Sequence, residues 1–189
     1  PRMLLWHCRS RAAALALPSA GSRMLMRSAM IEITTRSSMR VKAPKRAGEA
    51  FKKLHSSGAR FNFRFELFAM IDDYLKILAT KDISLPDGYA EVVKEAESVR
   101  QALDAHPLPL VACHCDPLCE NFLDTGKRMW IVDWEYSGMN DPLWDLGDLA
   151  VEGQFSAAQE DEMIAAYFGG EPTAAERGRF VIYKAMCDL

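Results

Sequence analysis

The sequence predicts an α+β domain, mostly helical, with one small β-hairpin. Three observations lead there. Apolar residues recur at helical spacing in six stretches between Arg46 and the C-terminus. Two short β-prone runs, Phe122-Leu-Asp and Met129-Trp-Ile-Val, flank the turn Asp124-Thr-Gly-Lys127. A single apolar run, Leu108 to Ala112, leads into a loop rich in His, Cys, Asp and Asn. At 189 residues and 49% hydrophobic content, the chain can bury one core and gives no reason for a second domain.

Charge divides the chain. Residues 1 to 46 hold ten Lys and Arg against one acid, Glu32, whereas residues 47 to 189 hold 13 basic against 25 acidic residues. The basic head, 1-46, is rich in Arg, Ser and Ala, the composition of an organelle transit peptide or a disordered arm. Its longest apolar run, Ala12 to Pro18, is too short to span a membrane and is followed by no secretory cleavage pattern. Nucleic-acid binding is a weak expectation, because aromatic residues other than Trp6 are missing among the charges.

From the head onward the elements follow in order. Arg46 to Ser57 has Ala47, Phe51 and Leu54 on one face and ends at Ser56-Ser-Gly58. His55, near that end and with no evident partner, reads as structural or exposed rather than catalytic. Phe65 to Leu78 carries Leu67, Ile71, Tyr74, Leu75 and Leu78 at helical spacing. After the turn Leu85-Pro-Asp-Gly88, Tyr89 to Ala105 aligns Val92, Ala96, Val99 and Leu103, with a solvated charged face. His106-Pro-Leu-Pro109 ends it, since the residue before a proline avoids helical geometry.

Beyond the hairpin, Asn140-Asp-Pro142 opens a helix in which Asp145, Asp148 and Glu152 recur at intervals of three and four, away from Leu146, Leu149 and Ala150. Like charges so spaced cost helix stability. Either a cationic substrate or metal offsets that cost, or the three form an exposed, salt-screened acidic face. Gln159 to Phe168 and Ala174 to Leu189 complete the helices, split by Gly169-Gly-Glu-Pro172. The last is expected to stop without a cap or breaker.

The loop carries the chemistry. In Val111-Ala-Cys-His-Cys-Asp-Pro-Leu-Cys-Glu-Asn121, residues His114, Asp116 and Asn121 fit the pattern H-x-D-x-x-x-x-N. In phosphoryl-transfer enzymes that pattern gives an aspartate facing the acceptor hydroxyl and an asparagine facing magnesium. Such reactions ask a protein to align a hydroxyl with a γ-phosphate and to neutralise the spreading charge, which hard oxygen ligands do through magnesium. Asp133, at the end of the second hairpin strand, supplies a second metal carboxylate. The opposing reading makes these residues a buried histidine and loop-forming carboxylates only.

Five cysteines, Cys8, Cys113, Cys115, Cys119 and Cys187, an odd number with no secretory signal, point to reduced thiols in the cytoplasm. Cys113-His-Cys-x-x-x-Cys119 lacks the C-x-x-C spacing and second pair of a zinc cluster, and Asp116 leaves no need for a cysteine nucleophile.

Cys113-His-Cys-Asp-Pro-Leu-Cys-Glu-Asn121, Ile131-Val-Asp-Trp-Glu-Tyr136 and Asp141-Pro-Leu-Trp-Asp-Leu-Gly-Asp-Leu-Ala-Val-Glu152 resemble the choline/ethanolamine kinases, within the broader aminoglycoside-phosphotransferase group. The resemblance runs from about Gly48 to the C-terminus. It implies a protein-kinase-like C-terminal lobe over 47-189 that transfers the γ-phosphate of ATP to the hydroxyl of choline, ethanolamine or a similar small amino-alcohol. It implies Asp116 as catalytic base, His114 as a structural member of the loop, and Asn121 and Asp133 as the ligands of Mg2+ and hence of the nucleotide. Glu135, Glu152 and Asp148 are implied near the substrate ammonium, beside an aromatic cage that in the choline kinases comes partly from later helices and is expected to be incomplete here.

No Gly-rich strand-turn-strand or Val-Ala-Ile-Lys-like strand precedes the lobe. The expectation is therefore a fragment lacking its nucleotide lobe and part of its C-terminus, with residues 1 to 46 as aberrant sequence joined to it. A catalytically silent fragment or binding module is the competing expectation to an active enzyme.

Overall fold

The computed structural model describes residues 44–81 and 85–187. In chain order these form α1 (Pro44–His55), α2 (Leu67–Ala79), α3 (Tyr89–Ala105), β1 (Val111–Cys113), a 3-10 turn (Cys119–Asn121), β2 (Phe122–Asp124), β3 (Met129–Ile131), β4 (Gly138–Asn140), α4 (Pro142–Glu152), α5 (Ala157–Phe168) and α6 (Ala174–Cys187). The α+β, mostly helical fold read from the sequence is the fold observed. The basic head falls almost wholly outside the described residues, as do Asp188 and Leu189; Pro44, Lys45 and Arg46 already belong to α1.

Two helix pairs make the core. Glycine lets each pair close: a Cβ at Gly48 of α1 would meet the carbonyl oxygen of Met163 in α5 at 2.2 Å, and one at Gly147 of α4 would meet Cβ of Tyr183 in α6 at 2.9 Å. Around these contacts Phe51, Leu146, Leu149, Met163, Ile164 and Phe180 are almost completely removed from water, each worth roughly 1.5–3 kcal/mol of burial. α2 and α3 contribute less, burying Leu67, Ile71, Ala96 and Leu103.

The caps explain the helix boundaries. Asp141 accepts from the backbone N–H of Leu143 at 2.9 Å with Pro142 in the first turn, so α4 starts where the Asn-Asp-Pro run predicts. Arg179 of α6 then ties Asp141 (2.6 Å) to the carbonyl of His106 at the end of α3 (2.7 Å). α5 begins two residues earlier than its periodicity suggests, because Ser156 and Gln159 form a capping box.

Among the described residues, each of the two sheets is an antiparallel pair. β2 and β3 form the expected hairpin, Leu123 opposite Trp130, closed by Gly126 at φ 79° and by Asp124 accepting from its backbone N–H at 2.7 Å. β1 pairs with β4, Ala112 opposite Met139, a pairing across 27 residues that the sequence did not announce. Residues 63–65 run along the other edge of β4: Met139 donates to the Phe63 carbonyl at 2.8 Å and accepts from the backbone N–H of Phe65 at 3.1 Å. The catalytic-type loop thus leaves β1, whose one partner, β4, is itself held on both edges.

Candidate active site

The loop after β1 is fixed from behind by α4. Asp145, fully buried, accepts from the backbone N–H of His114 through Oδ2 and of Cys115 through Oδ1, both at 2.8 Å. Oδ2 also receives Nε2 of His55 at 3.0 Å, and the other ring nitrogen of His55 lies 3.0 Å from the hydroxyl of Tyr167. Trp144 donates its indole N–H to the carbonyl of Cys115 at 3.2 Å. These bonds hold Cys115 at φ 67°, a left-handed conformation that costs a non-glycine residue unless its surroundings over-determine it. The exposed acidic face offered as an alternative for α4 is therefore corrected: Asp145 is 0% and Asp148 5% exposed, because the helix is buried on almost every side.

His114 is also fully buried. Its Nε2 lies 2.9 Å from the carbonyl of Val132, and since a carbonyl only accepts, that nitrogen carries the proton. Its ring meets Trp134 edge-on, with centroids 5.0 Å apart. His114 thus joins the loop to the segment bearing Asp133, which sits at φ 67° just beyond β3. The backbone N–H of Val132 donates to the carbonyl of Asn121 at 3.0 Å, drawing the two expected metal-binding positions together as the hairpin requires. Asn121 spends its amide nitrogen on the carbonyl of Asp116 at 3.0 Å, which leaves its amide oxygen for another partner.

The front of the loop is acidic. Partial burial raises the pKa of the half-buried Asp116; the His114 ring opposes this, and Asp133, Glu152 and Glu135 add to it. Asp133 and Glu135 are exposed, and Glu152 is half-buried. Asp148 lies deeper: burial lifts its pKa well above the ordinary carboxylate range, the charges of Asp116, Glu152 and Asp145 lift it further, and a hydrogen bond with Cys187 opposes them. All seven residues singled out in the sequence, Asp116, His114, Asn121, Asp133, Glu135, Glu152 and Asp148, gather around one loop. Asp148 lies below its surface rather than on it.

The sequence makes His55 structural or exposed without naming its partner and sets Asp145 among the acids of one helix; the structure shows that together they anchor the loop. Nothing in the spacing distinguishes Asp145 from Asp148.

The profile of the APH phosphotransferase enzyme family matches residues 29–180. The chain belongs to that family. This phosphotransferase-family chain is similar to a solved choline/ethanolamine kinase family protein from Mesorhizobium loti, with 73% identity and a TM-score of 0.76 over 82% of this chain and 53% of that one. It is also similar to the choline kinase LicA from Streptococcus pneumoniae, with 26% identity and a TM-score of 0.67 over the same shares. Protein LicA of Haemophilus influenzae is 30% identical over 120 residues, 61% of this chain and 43% of that protein. The chain thus spans about half the length of the relatives it matches. Among the described residues, no helix is long and apolar enough to cross a membrane.

Proposed function

We propose that this chain carries the catalytic lobe of an ATP-dependent phosphotransferase acting on the hydroxyl of choline or a similar small amino-alcohol. One observation carries the reading: the charges of Asp133, Glu152 and Glu135 all act on Asp116, whose loop is anchored from behind by Asp145. A cationic substrate and a cation-bound nucleotide are the partners such a front requires.

Asp116 orients the acceptor hydroxyl and takes its proton as the oxygen attacks, a role worth about 10²–10⁴ in rate. Its half-burial supports that part, since desolvation makes the carboxylate a stronger base. Asn121 and Asp133 present hard oxygen donors of the kind Mg2+ takes, and they are the residues that would hold it. Bound there, the ion would neutralise charge on the β- and γ-phosphates of ATP. Glu135 and Glu152 attract the ammonium group of the acceptor, while Asp148 supports them from beneath. His114 sets the distance between Asp116 and Asp133. As thiols, Cys113, Cys115, Cys119 and Cys187 support a reducing, cytoplasmic setting.

Calorimetric titration with ATP and magnesium, beside Asp133→Ala, tests the nucleotide half of this reading. Saturable binding that needs magnesium and is lost in the variant is the expected result. A choline and ethanolamine phosphorylation assay then tests the acceptor. Absence of nucleotide binding in the wild-type chain would overturn the reading in favour of a silent lobe or binding module.

A further inference from the structure

Behind the loop, three side chains with metal-binding donors converge from three elements. A ring nitrogen of His55 (α1), the sulfur of Cys113 (β1) and a carboxylate oxygen of Asp145 (α4) all lie within 4.8 Å of one another. The Cys113 residue and the Asp145 side chain are 0% exposed and the His55 side chain is 3% exposed. We propose that His55, Cys113 and Asp145 form a binding site for zinc, separate from the magnesium position at Asn121 and Asp133.

The donor chemistry fits. Nitrogen, sulfur and oxygen from His, Cys and a carboxylate are the atoms zinc takes in proteins, and three of them leave one tetrahedral position for an exogenous ligand. Magnesium, which prefers an oxygen octahedron, does not compete. Charge fits as well: a thiolate and a carboxylate together balance a divalent cation, so the occupied site is neutral, as a buried site has to be to escape a large desolvation cost.

Supporting bonds are already in place. Tyr167 sits 3.0 Å from Nδ1 of His55, leaving Nε2 to face the site, and Oδ1 of Asp145 is fixed by the backbone N–H of Cys115 at 2.8 Å. Metal-bound histidines are oriented in this way by a partner on the second nitrogen. Cys113 is the adjustable member. Its thiol makes only long contacts, 3.6 Å to the carbonyl of Asn140 and 3.7 Å to that of Asp141. Turning it closes the triangle toward the separations of roughly 3.5 Å that metal–donor bonds of about 2.0–2.3 Å require.

The protons balance. Burial, and after it the charge of Asp145, keeps the free Cys113 thiol protonated, with Cys115 and Asp141 adding to the effect. Binding forms the sulfur–zinc bond and releases that proton to solvent. Nε2 of His55 gives up its proton as Nδ1 takes one and donates it to the Tyr167 hydroxyl, so one proton leaves per zinc.

Cobalt(II) titration of the chelator-treated full chain tests the site. The expected result is one cobalt per chain with a thiolate-to-cobalt absorption band, displaced by zinc with release of one proton. Cys113→Val should lose the band, and Cys8→Ser and Cys187→Ser should keep it. At free zinc 100 times its Kd, the unfolding constant of the wild type should fall about 100-fold and that of Cys113→Val should not move. Zinc should also shift the ring resonances of His55 in the wild type while leaving those of His106 in place, a readout that holds even where Cys113→Val does not fold. A wild type with no band, a band that survives Cys113→Val or vanishes in Cys8→Ser, or unmoved His55 resonances would overturn the proposal.

Discussion

The loop between β1 and the 3-10 turn has two unlike sides. Its rear is closed: Asp145, His55 and Trp144 are each 8% exposed or less, and their polar groups have identified partners. Its front is open and carries Asp116, Asp133 and Glu135, with like charges facing one another and only the buried His114 ring opposing them at Asp116. Folding explains the rear, since a buried carboxylate is tolerable only when its lone pairs are filled. Folding does not explain the front, where like charges raise the free energy of the chain unless a cation arrives. Rigidity and reactivity are thus assigned to opposite faces of one short segment.

That contrast can be broken from behind first. Asp145→Ala leaves two loop amides and a buried imidazole without their acceptor, and is expected to destabilise by about 3–5 kcal/mol or to prevent folding. Urea unfolding measures it; a loss below 1 kcal/mol would mean the rear network does not hold the loop. Gly48→Ala comes next. Its methyl would lie 2.2 Å from the Met163 carbonyl oxygen, so α1, which carries His55, has to move away from α5. The expected cost is about 1–3 kcal/mol by the same measurement.

Asp148→Asn sharpens the comparison at the boundary between the two sides. The folded protein holds the Asp148 proton more tightly than the unfolded chain does, because burial raises its pKa. Its contribution to stability is therefore fully present below the ordinary carboxylate range and is lost as pH rises through the raised value. The amide has no such loss. The variant should melt above the wild type at neutral pH, with the difference shrinking in acid; a pH-independent difference would assign the effect to packing instead. Asp116→Asn should move stability least, within about 0.5 kcal/mol, while lowering phosphoryl transfer about 10²–10⁴-fold. Paired melting and rate measurements check it, and equal effects on both would erase the distinction between front and rear.

Much of this was legible in the chain because it is local. Helical periodicity placed α2 and α3 within two residues, and Asn140-Asp-Pro142 marked the start of α4 through its cap. The hairpin followed from a turn that only Gly126 and an aspartate side chain are needed to close. The H-x-D-x-x-x-x-N spacing singles out Asp116 and Asn121, and the structure keeps them on one loop because a short fixed offset survives any tertiary arrangement. Asp145 and Asp148 show where such reading stops. They are the same residue type on the same helix, three positions apart, yet one accepts three hydrogen bonds and the other sits under the acidic front with a raised pKa.

The sequence by itself determined the secondary elements, their caps and the set of residues that meet at the loop, since those depend on neighbours within a few positions. Only the tertiary structure decided which carboxylate anchors the loop and which lies beneath its acidic front, that β1 would pair with β4, and that His55, Cys113 and Asp145 would meet. Each of those depends on burial and on partners brought from 25 to 112 residues away, and the free energy of a charge depends on its surroundings far more than on its place in the chain.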